Sequence, residues 1–220
     1  RALALLRGAR PELVVDLHNN TGRNPAYVVA DGLDDPLLQL GALFCTRFVS
    51  SAIDLPTFTR AFKDLAPSIT VECGTAGDPQ ADATAYAGLV RLMHLDRLDP
   101  VSLTNVHMAI LEHPMRVCLR GDASLAFGES PAAAAVTLDL EIDRHNFETV
   151  AEGTRFGWVA AGTGWPFEAF DAQGAEVSRQ WFEIVDGALI SRRTFVPFMM
   201  TTHAEIARSD CLFYVASRRE

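Results

Sequence analysis

The first half of the chain alternates short apolar runs with longer stretches of helical periodicity. ARPELVVDLH and SITVECG are short runs rich in Val, Ile and Leu, and they predict two buried strands. DDPLLQLGALFCTRFVSSA opens with Asp34-Asp35 before Pro36, a helix start signal, and then carries apolar residues at helical spacing. DPQADATAYAGLVRLMHLDRL predicts a second helix. This strand–helix–strand–helix order predicts an α/β fold with a mainly parallel or mixed sheet.

The pattern changes near Asp99-Pro100, after which short apolar runs are separated by Gly, Pro and Asp. DAQG and VDGA in this half are typical of hairpin turns. We therefore predict two domains, an α/β domain over residues 1–100 and a β-rich domain over residues 101–220. The runs expected to form its strands are VHMAILEHPMRVCLR, VTLDLEID, TRFGWVAAG, EAFDAQGAEV, ALISRRTFVPFMM and CLFYVASRR.

Composition narrows the classes of partner. The chain has 220 residues and a formal net charge of −9, and its basic residues form no stripe, which argues against nucleic acid. No apolar stretch reaches the roughly 18–20 residues of a membrane span, and no signal peptide is visible. The four cysteines form no CxxC pair, so we expect buried, reduced thiols and a cytoplasmic protein.

Two strand ends carry side chains that could do chemistry. Because side chains alternate along a strand, Asp16 and His18 share one face of the first strand, and Thr70 and Glu72 share one face of the second. In open α/β sheets, ligands bind at this carboxyl edge. Neutral imidazole is a good zinc ligand, and a free glutamate can take a proton from metal-bound water. The alternative is that both are strand-end residues in ordinary hydrogen bonds.

DLHNNTGRNPAY, followed some fifty residues later by ITVECGTAGDPQADATAYAGL, resembles the succinylglutamate desuccinylase/aspartoacylase family. These proteins are zinc deacylases related to the metallocarboxypeptidases. The resemblance extends more loosely over the β-rich half, as far as SDCLFYV. It implies a carboxypeptidase-like αβα sandwich, incomplete at its N-terminus, followed by a smaller β-rich domain.

The resemblance also implies roles for individual residues. His18 would be the third zinc ligand and Glu72 the general base and acid. Asn19 would lie in the wall of the site, and Asp16 would orient neighbouring groups. Arg60 would hold a substrate carboxylate through two parallel hydrogen bonds, unless it is a solvated loop charge.

The pattern departs from the family in its metal ligands. The family's first two ligands come from an HxxE that precedes DLHN, whereas this chain begins RALALLRGARPELVV, just before that strand. We therefore expect the other two ligands upstream of residue 1. The one HxxE present, His145–Glu148, lies in the β-rich half, where we predict a solvated turn rather than a metal site. His203 and Glu205 lie in a segment that could approach the site, and neither matches a known role.

The remaining histidines fit no metal motif. His94 lies on a predicted helix as a packing or surface residue, and His107 and His113 match neither HExxH nor HxH spacing. Taken together, the residues predict a zinc-dependent amidohydrolase acting on an N-acylated amino acid or a similar small, carboxylate-bearing amide. A metallocarboxypeptidase-type hydrolase and a metal-free binding or scaffold homologue are the alternatives. We expect a small-molecule substrate and no nucleic-acid or membrane partner, and we leave a homo-oligomer open.

Overall fold

The computed structural model describes residues 8–51, 58–96, 107–171 and 173–219. The chain divides into two compact units. Unit 1 comprises Arg1–Asn20, Pro25–Pro114 and Arg218–Glu220, and unit 2 comprises Thr21–Asn24 and Met115–Ser217. The boundary predicted between residues 100 and 101 lies outside the described residues, so the predicted division into domains stays a prediction.

Unit 1 is built on a mixed sheet. Strand β1 pairs in parallel with β4, β4 pairs antiparallel with β2, and β2, β3 and β5 continue in parallel. This agrees with the predicted α/β class. The elements are β1 (Val14–Asn20), β2 (Tyr27–Ala30), α1 (Asp35–Ala42), β3 (Arg47–Ser50), α2 (Phe58–Phe62), β4 (Ser68–Thr75), α3 (Pro79–Met93) and β5 (Ala109–Leu119), which continues into unit 2.

The core of unit 1 forms where the apolar strands meet the apolar sides of the helices. Strand β4 is paired on both edges and buries Ile69 and Val71, as expected for the SITV run. Strand β1 stands at the end of the described strand order, and its middle residues are partly or fully exposed. Helix α1 adds its buried leucines, and the start of α3 adds an alanine. The buried members of this cluster are Val28, Ala30, Leu37, Leu40, Phe44, Phe48, Ile69, Val71, Cys73 and Ala81.

The structure of unit 1 differs from the prediction at two short strands. DDPLLQLGALFCTRFVSSA was expected to be one helix, but α1 ends at Ala42 and RFVS forms β3. Strand β2 was not predicted at all. Both strands have only four residues, too few for their periodicity to register, and they are held by pairing with distant strands. Phe48 of β3 is fully buried.

The helix start signal at Asp34 has a direct structural basis. The Asp34 Oδ1 atom accepts a hydrogen bond from the Leu37 backbone N–H at 3.1 Å, which satisfies one of the unpaired donors of the first turn. Asp34→Ala should lower the free energy of unfolding by about 1 kcal/mol, measured by urea denaturation. Asp34→Asn, which keeps an acceptor oxygen, is the matched control and should be nearly neutral. Equal losses in the two variants would contradict a capping role.

Unit 2 is rich in β-strands, as predicted. The part of β5 that follows Pro114 pairs with β9, and a second sheet has the strand order β10-β11-β8-β7-β6. VDGA forms the β10–β11 hairpin turn, with positive φ at Asp186 and Gly187. The elements are β6 (Leu125–Gly128), β7 (Val136–Asp139), β8 (Arg155–Val159), β9 (Phe167–Ala169), α4 (Ser178–Trp181), β10 (Phe182–Val185), β11 (Ala188–Ser191), β12 (Val196–Phe198), α5 (Ala204–Ser209) and β13 (Phe213–Arg218).

Aromatic side chains fill the core of unit 2. The Phe156 ring is fully buried and lies within 5.8 Å, between ring centroids, of Phe182, Phe195 and Phe213. Edge-to-face and offset contacts of this kind add to the stability that comes from burying the rings.

The HNFE segment forms a turn, as predicted, but only part of it is solvated: Glu148 is exposed, whereas the two residues before it are buried. His145 ends a short 3₁₀ helix, and Asn146 and Phe147 are buried. The Asn146 amide donates to the Met200 carbonyl and accepts from the Met200 N–H, each at 2.9 Å. Two hydrogen bonds compensate for burying this amide, so the segment joins two parts of the unit 2 core.

Thr21–Asn24, the last four residues of the DLHNNTGRN motif, also belong to unit 2. Gly22 is packed so tightly that a Cβ atom there would lie 1.8 Å from the Met200 carbonyl oxygen. Asn24 Oδ1 accepts a hydrogen bond from the Met199 N–H at 2.9 Å, and the Arg23 N–H donates to Asp143 at 3.2 Å. These residues of the motif therefore have a packing role.

All four cysteines are free thiols. Cys73 and Cys211 are buried as predicted, whereas Cys45 and Cys118 are partly exposed. Among the helices that the structure describes, none is both long enough and apolar enough to cross a membrane.

Candidate functional site

The pairing of β1 with β4 brings the predicted site residues together. The two strands are parallel, and their register places His18 opposite Glu72. Their carboxyl ends therefore meet at one edge of the sheet, where ligands bind in open α/β folds. The register shifts between His18 and Asn20, so that Asn20 is paired with Thr75.

The Asp16 carboxylate lies next to the imidazole of His18. The distance between Asp16 Oδ2 and His18 Nε2 is 2.9 Å, as the alternation of side chains along β1 predicts. In a neutral imidazole, one nitrogen carries the proton and the other keeps a lone pair. Nε2 is the nitrogen turned towards the carboxylate, and a neutral imidazole protonated there has its lone pair on Nδ1. The His18 side chain is half exposed.

Glu72 is held by an amide from β1. Asn20 Nδ2 donates a hydrogen bond to Glu72 Oε2 at 3.0 Å, and Asn20 is buried. Partial burial raises the pKa of the Glu72 carboxyl above its ordinary value; the facing His18 opposes this rise, and the nearby Asp16 charge adds to it. A carboxylate with a raised pKa accepts a proton more readily near neutral pH. The arrangement therefore suits a general base.

The amide that contacts Glu72 belongs to Asn20, which the sequence-based assignment did not select. Asn19, assigned to the site wall, is exposed, and its role stays a prediction. The signal for Asn20 was present in the sequence, because positions 16, 18 and 20 of a strand fall on one face. The pairing of β1 with β4 was needed to show which of the two adjacent asparagines contacts Glu72.

Arg60 lies on α2 and is not a solvated loop charge. Its Nη1 atom lies 3.7 Å from Asp31 Oδ2, and Lys63 Nζ lies 2.9 Å from the same oxygen. Two cations thus converge on one carboxylate. A neighbouring cavity of about 340 Å³ is lined by residues that include Asp31, Thr59 and Lys63.

The described residues do not complete a zinc site by themselves. Within residues 8–51, 58–96, 107–171 and 173–219, no group of three or more His, Cys, Asp or Glu side chains is placed to hold a metal ion. His18 offers one nitrogen, whereas a catalytic zinc takes about three protein ligands. His203 precedes the first turn of α5 and Glu205 lies within that turn; both belong to unit 2.

Comparison with known proteins gives matches in structure alone. No protein-family model and no curated protein sequence matches the chain. A succinylglutamate desuccinylase/aspartoacylase from Rhodobacter sphaeroides matches 94% of this chain and 59% of its own, with a TM-score of 0.53 and 16% identity. A succinylglutamate desuccinylase from Vibrio parahaemolyticus matches 100% of this chain and 59% of its own, with a TM-score of 0.56 and 14% identity.

A third solved structure, a succinylglutamate desuccinylase from a Silicibacter species, covers 98% of this chain and 61% of its own, at a TM-score of 0.51 and 16% identity. The chain therefore has the fold of the succinylglutamate desuccinylase/aspartoacylase structures, and the α/β fold class that the resemblance implied is confirmed. The chain spans about three fifths of the length of these proteins.

Proposed function

We propose that the chain forms part of a deacylase, a hydrolase that cleaves the amide bond of an N-acylated amino acid or a similar small, carboxylate-bearing amide. The observation that carries this proposal is the juxtaposition of His18 and Glu72 on neighbouring parallel strands, each held by a second polar side chain. The fold shared with desuccinylase and aspartoacylase structures supports the same assignment.

His18 is proposed as one ligand of a catalytic zinc ion, through Nδ1. The Asp16 carboxylate would keep the imidazole in the tautomer that leaves this nitrogen unprotonated. The remaining ligands would come from residues outside this sequence. When bound, zinc would supply Lewis-acid polarisation of the carbonyl and would lower the pKa of water towards about 7.

Glu72 is proposed as the group that moves the proton. Its carboxylate would accept a proton from the water whose oxygen attacks the carbonyl carbon. It would then deliver that proton to the nitrogen of the departing amine as the C–N bond breaks. Asn20 would keep the carboxylate oriented through its hydrogen bond at 3.0 Å. Asn19, exposed next to this pair, is proposed as part of the site wall.

Arg60 is proposed to bind the carboxylate of the substrate. The protein carries a net charge of −9, so an anionic substrate needs a local cationic group. The Arg60 guanidinium lies 3.7 Å from Asp31, longer than a direct hydrogen bond, while Lys63 holds the same oxygen at 2.9 Å. Lys63 would continue to balance the Asp31 charge if Arg60 turned to a substrate carboxylate.

The full-length protein should contain close to one zinc ion per chain and hydrolyse at least one member of a panel of N-acetyl and N-succinyl amino acids. His18→Ala should lose zinc, measured by elemental analysis, and should lose activity with it, since one ligand is removed. His94→Ala is the matched control, because His94 lies at the end of α3 and contacts the Val90 carbonyl. It should keep both properties.

Other outcomes would select the alternatives. Release of the last residue from peptides, with no hydrolysis of N-acyl amino acids, would indicate a metallocarboxypeptidase-type enzyme. A full-length protein that purifies without a transition metal and hydrolyses nothing in the panel would contradict the proposal and favour a binding or scaffold protein.

A further inference from the structure

Two cysteines that are distant in sequence lie opposite each other in unit 2. The Leu212 N–H donates to the Val117 carbonyl at 2.9 Å, and a second backbone hydrogen bond, near the other end of β5 and β13, shows that the two segments run antiparallel. Cys118 follows Val117 in the chain, and Cys211 precedes Leu212. Cys118 therefore stands across from Cys211.

The side chains support this pairing. Cys118 Sγ lies 3.7 Å from the carbonyl oxygen of Asp210, the residue bonded to Cys211. Opposed residues of antiparallel segments have Cα atoms about 4.5–5.5 Å apart. Disulfides form over Cα separations of about 4.4–6.8 Å, so this position can be bridged without a large backbone movement.

Charged and polar groups surround the pair. The Arg116 guanidinium donates to the Asp210 carbonyl oxygen and, at 2.8 Å, to the Asp210 carboxylate. Cys211 is buried, whereas Cys118 is partly exposed. The two thiols thus differ in access: an oxidant from solvent reaches Cys118 first.

We infer that Cys118 and Cys211 form a reversible disulfide when the protein meets a peroxide. The Cys118 sulfur attacks one peroxide oxygen, the O–O bond breaks, and Cys118 becomes a sulfenic acid with release of one water from hydrogen peroxide. The Cys211 sulfur then attacks the Cys118 sulfur. The S–O bond breaks, and the departing hydroxide takes the Cys211 proton to leave as a second water. Two thiols are oxidised and one peroxide is reduced.

The resting thiols are poorly reactive, which sets the time scale of this reaction. Burial raises the pKa of the Cys211 thiol to about 12, and burial also raises the pKa of Cys118. Both groups are therefore protonated at neutral pH, and oxidation should take minutes to hours rather than seconds.

The test counts and locates thiols. The protein is incubated with hydrogen peroxide, excess peroxide is removed with catalase, and the sample is unfolded in guanidinium with N-ethylmaleimide. The number of reactive thiols should fall by two. Peptide mapping without reduction should find the Cys118 peptide joined to the Cys211 peptide, and dithiothreitol should restore both thiols.

Two single-cysteine substitutions test which thiols are oxidised. Cys45→Ala should lose the same two thiols as the parent, whereas Cys118→Ala, at a partly exposed position, should lose none. An unchanged number of thiols in the parent, a Cys118 sulfinic acid beside a free Cys211, or a bridge joining any other pair would each overturn the inference. Because these measurements do not depend on zinc or on hydrolysis, they are independent of the proposed function.

Discussion

Glu72→Gln is expected to reduce kcat/KM for the preferred N-acyl amino acid by roughly 10²–10⁴-fold, because glutamine cannot accept the proton of the attacking water. The substitution preserves the size of the side chain and an oxygen that can accept the Asn20 hydrogen bond. Substrate binding should therefore change little, and the loss should fall mainly on kcat. Steady-state kinetics of the full-length enzyme measure the two parameters separately.

Two further measurements separate a catalytic role for Glu72 from a structural one. Glu72→Gln should retain zinc, since Glu72 is not proposed as a ligand. Its melting temperature at neutral pH should equal or exceed that of the parent, because an ionised carboxylate at this position is disfavoured by burial and by Asp16. Hydrolysis at the parental rate would show that Glu72 is not the base. Loss of activity together with loss of zinc or of the fold would also contradict the proposed role.

Gly22→Ala should lower the free energy of unfolding by about 3 kcal/mol or more, at the upper end of the usual cost of overpacking. The added Cβ would lie 1.8 Å from the Met200 carbonyl oxygen and 2.8 Å from its carbon. Both are backbone atoms, so no side-chain rotation can relieve the clash. The neighbouring contacts of Asn24 and Asn146 with Met199 and Met200 should be disturbed as the backbone moves.

Gly8→Ala is the matched control for this substitution. A Cβ atom at Gly8 would meet nothing within 4 Å, so the variant should be neutral or slightly stabilised. Denaturant unfolding of both variants and the parent, followed by circular dichroism, measures the difference. If Gly22→Ala unfolded at the same denaturant concentration as Gly8→Ala, the close approach of Gly22 to Met200 would be wrong.

Long, regular patterns made the elements of the site predictable. Strands β1 and β4 and helix α3 appear where their apolar runs and start signals indicated, and alternation placed Asp16 and His18 on one face. Strands β2 and β3 could not be recognised from the sequence, because a run of four residues shows too little periodicity. Their conformation depends on strands that the sequence could not place beside them.

The residues that could do chemistry, a histidine and a glutamate at the carboxyl ends of two predicted strands, were identifiable from the sequence alone. Side-chain type and local periodicity suffice for that, because both act over a few residues. The folded chain was needed to show that these residues face each other, that Asn20 rather than Asn19 contacts Glu72, and that Cys118 stands across from Cys211. Strand register and the packing of distant segments determine such contacts, and neither can be inferred from a local sequence pattern.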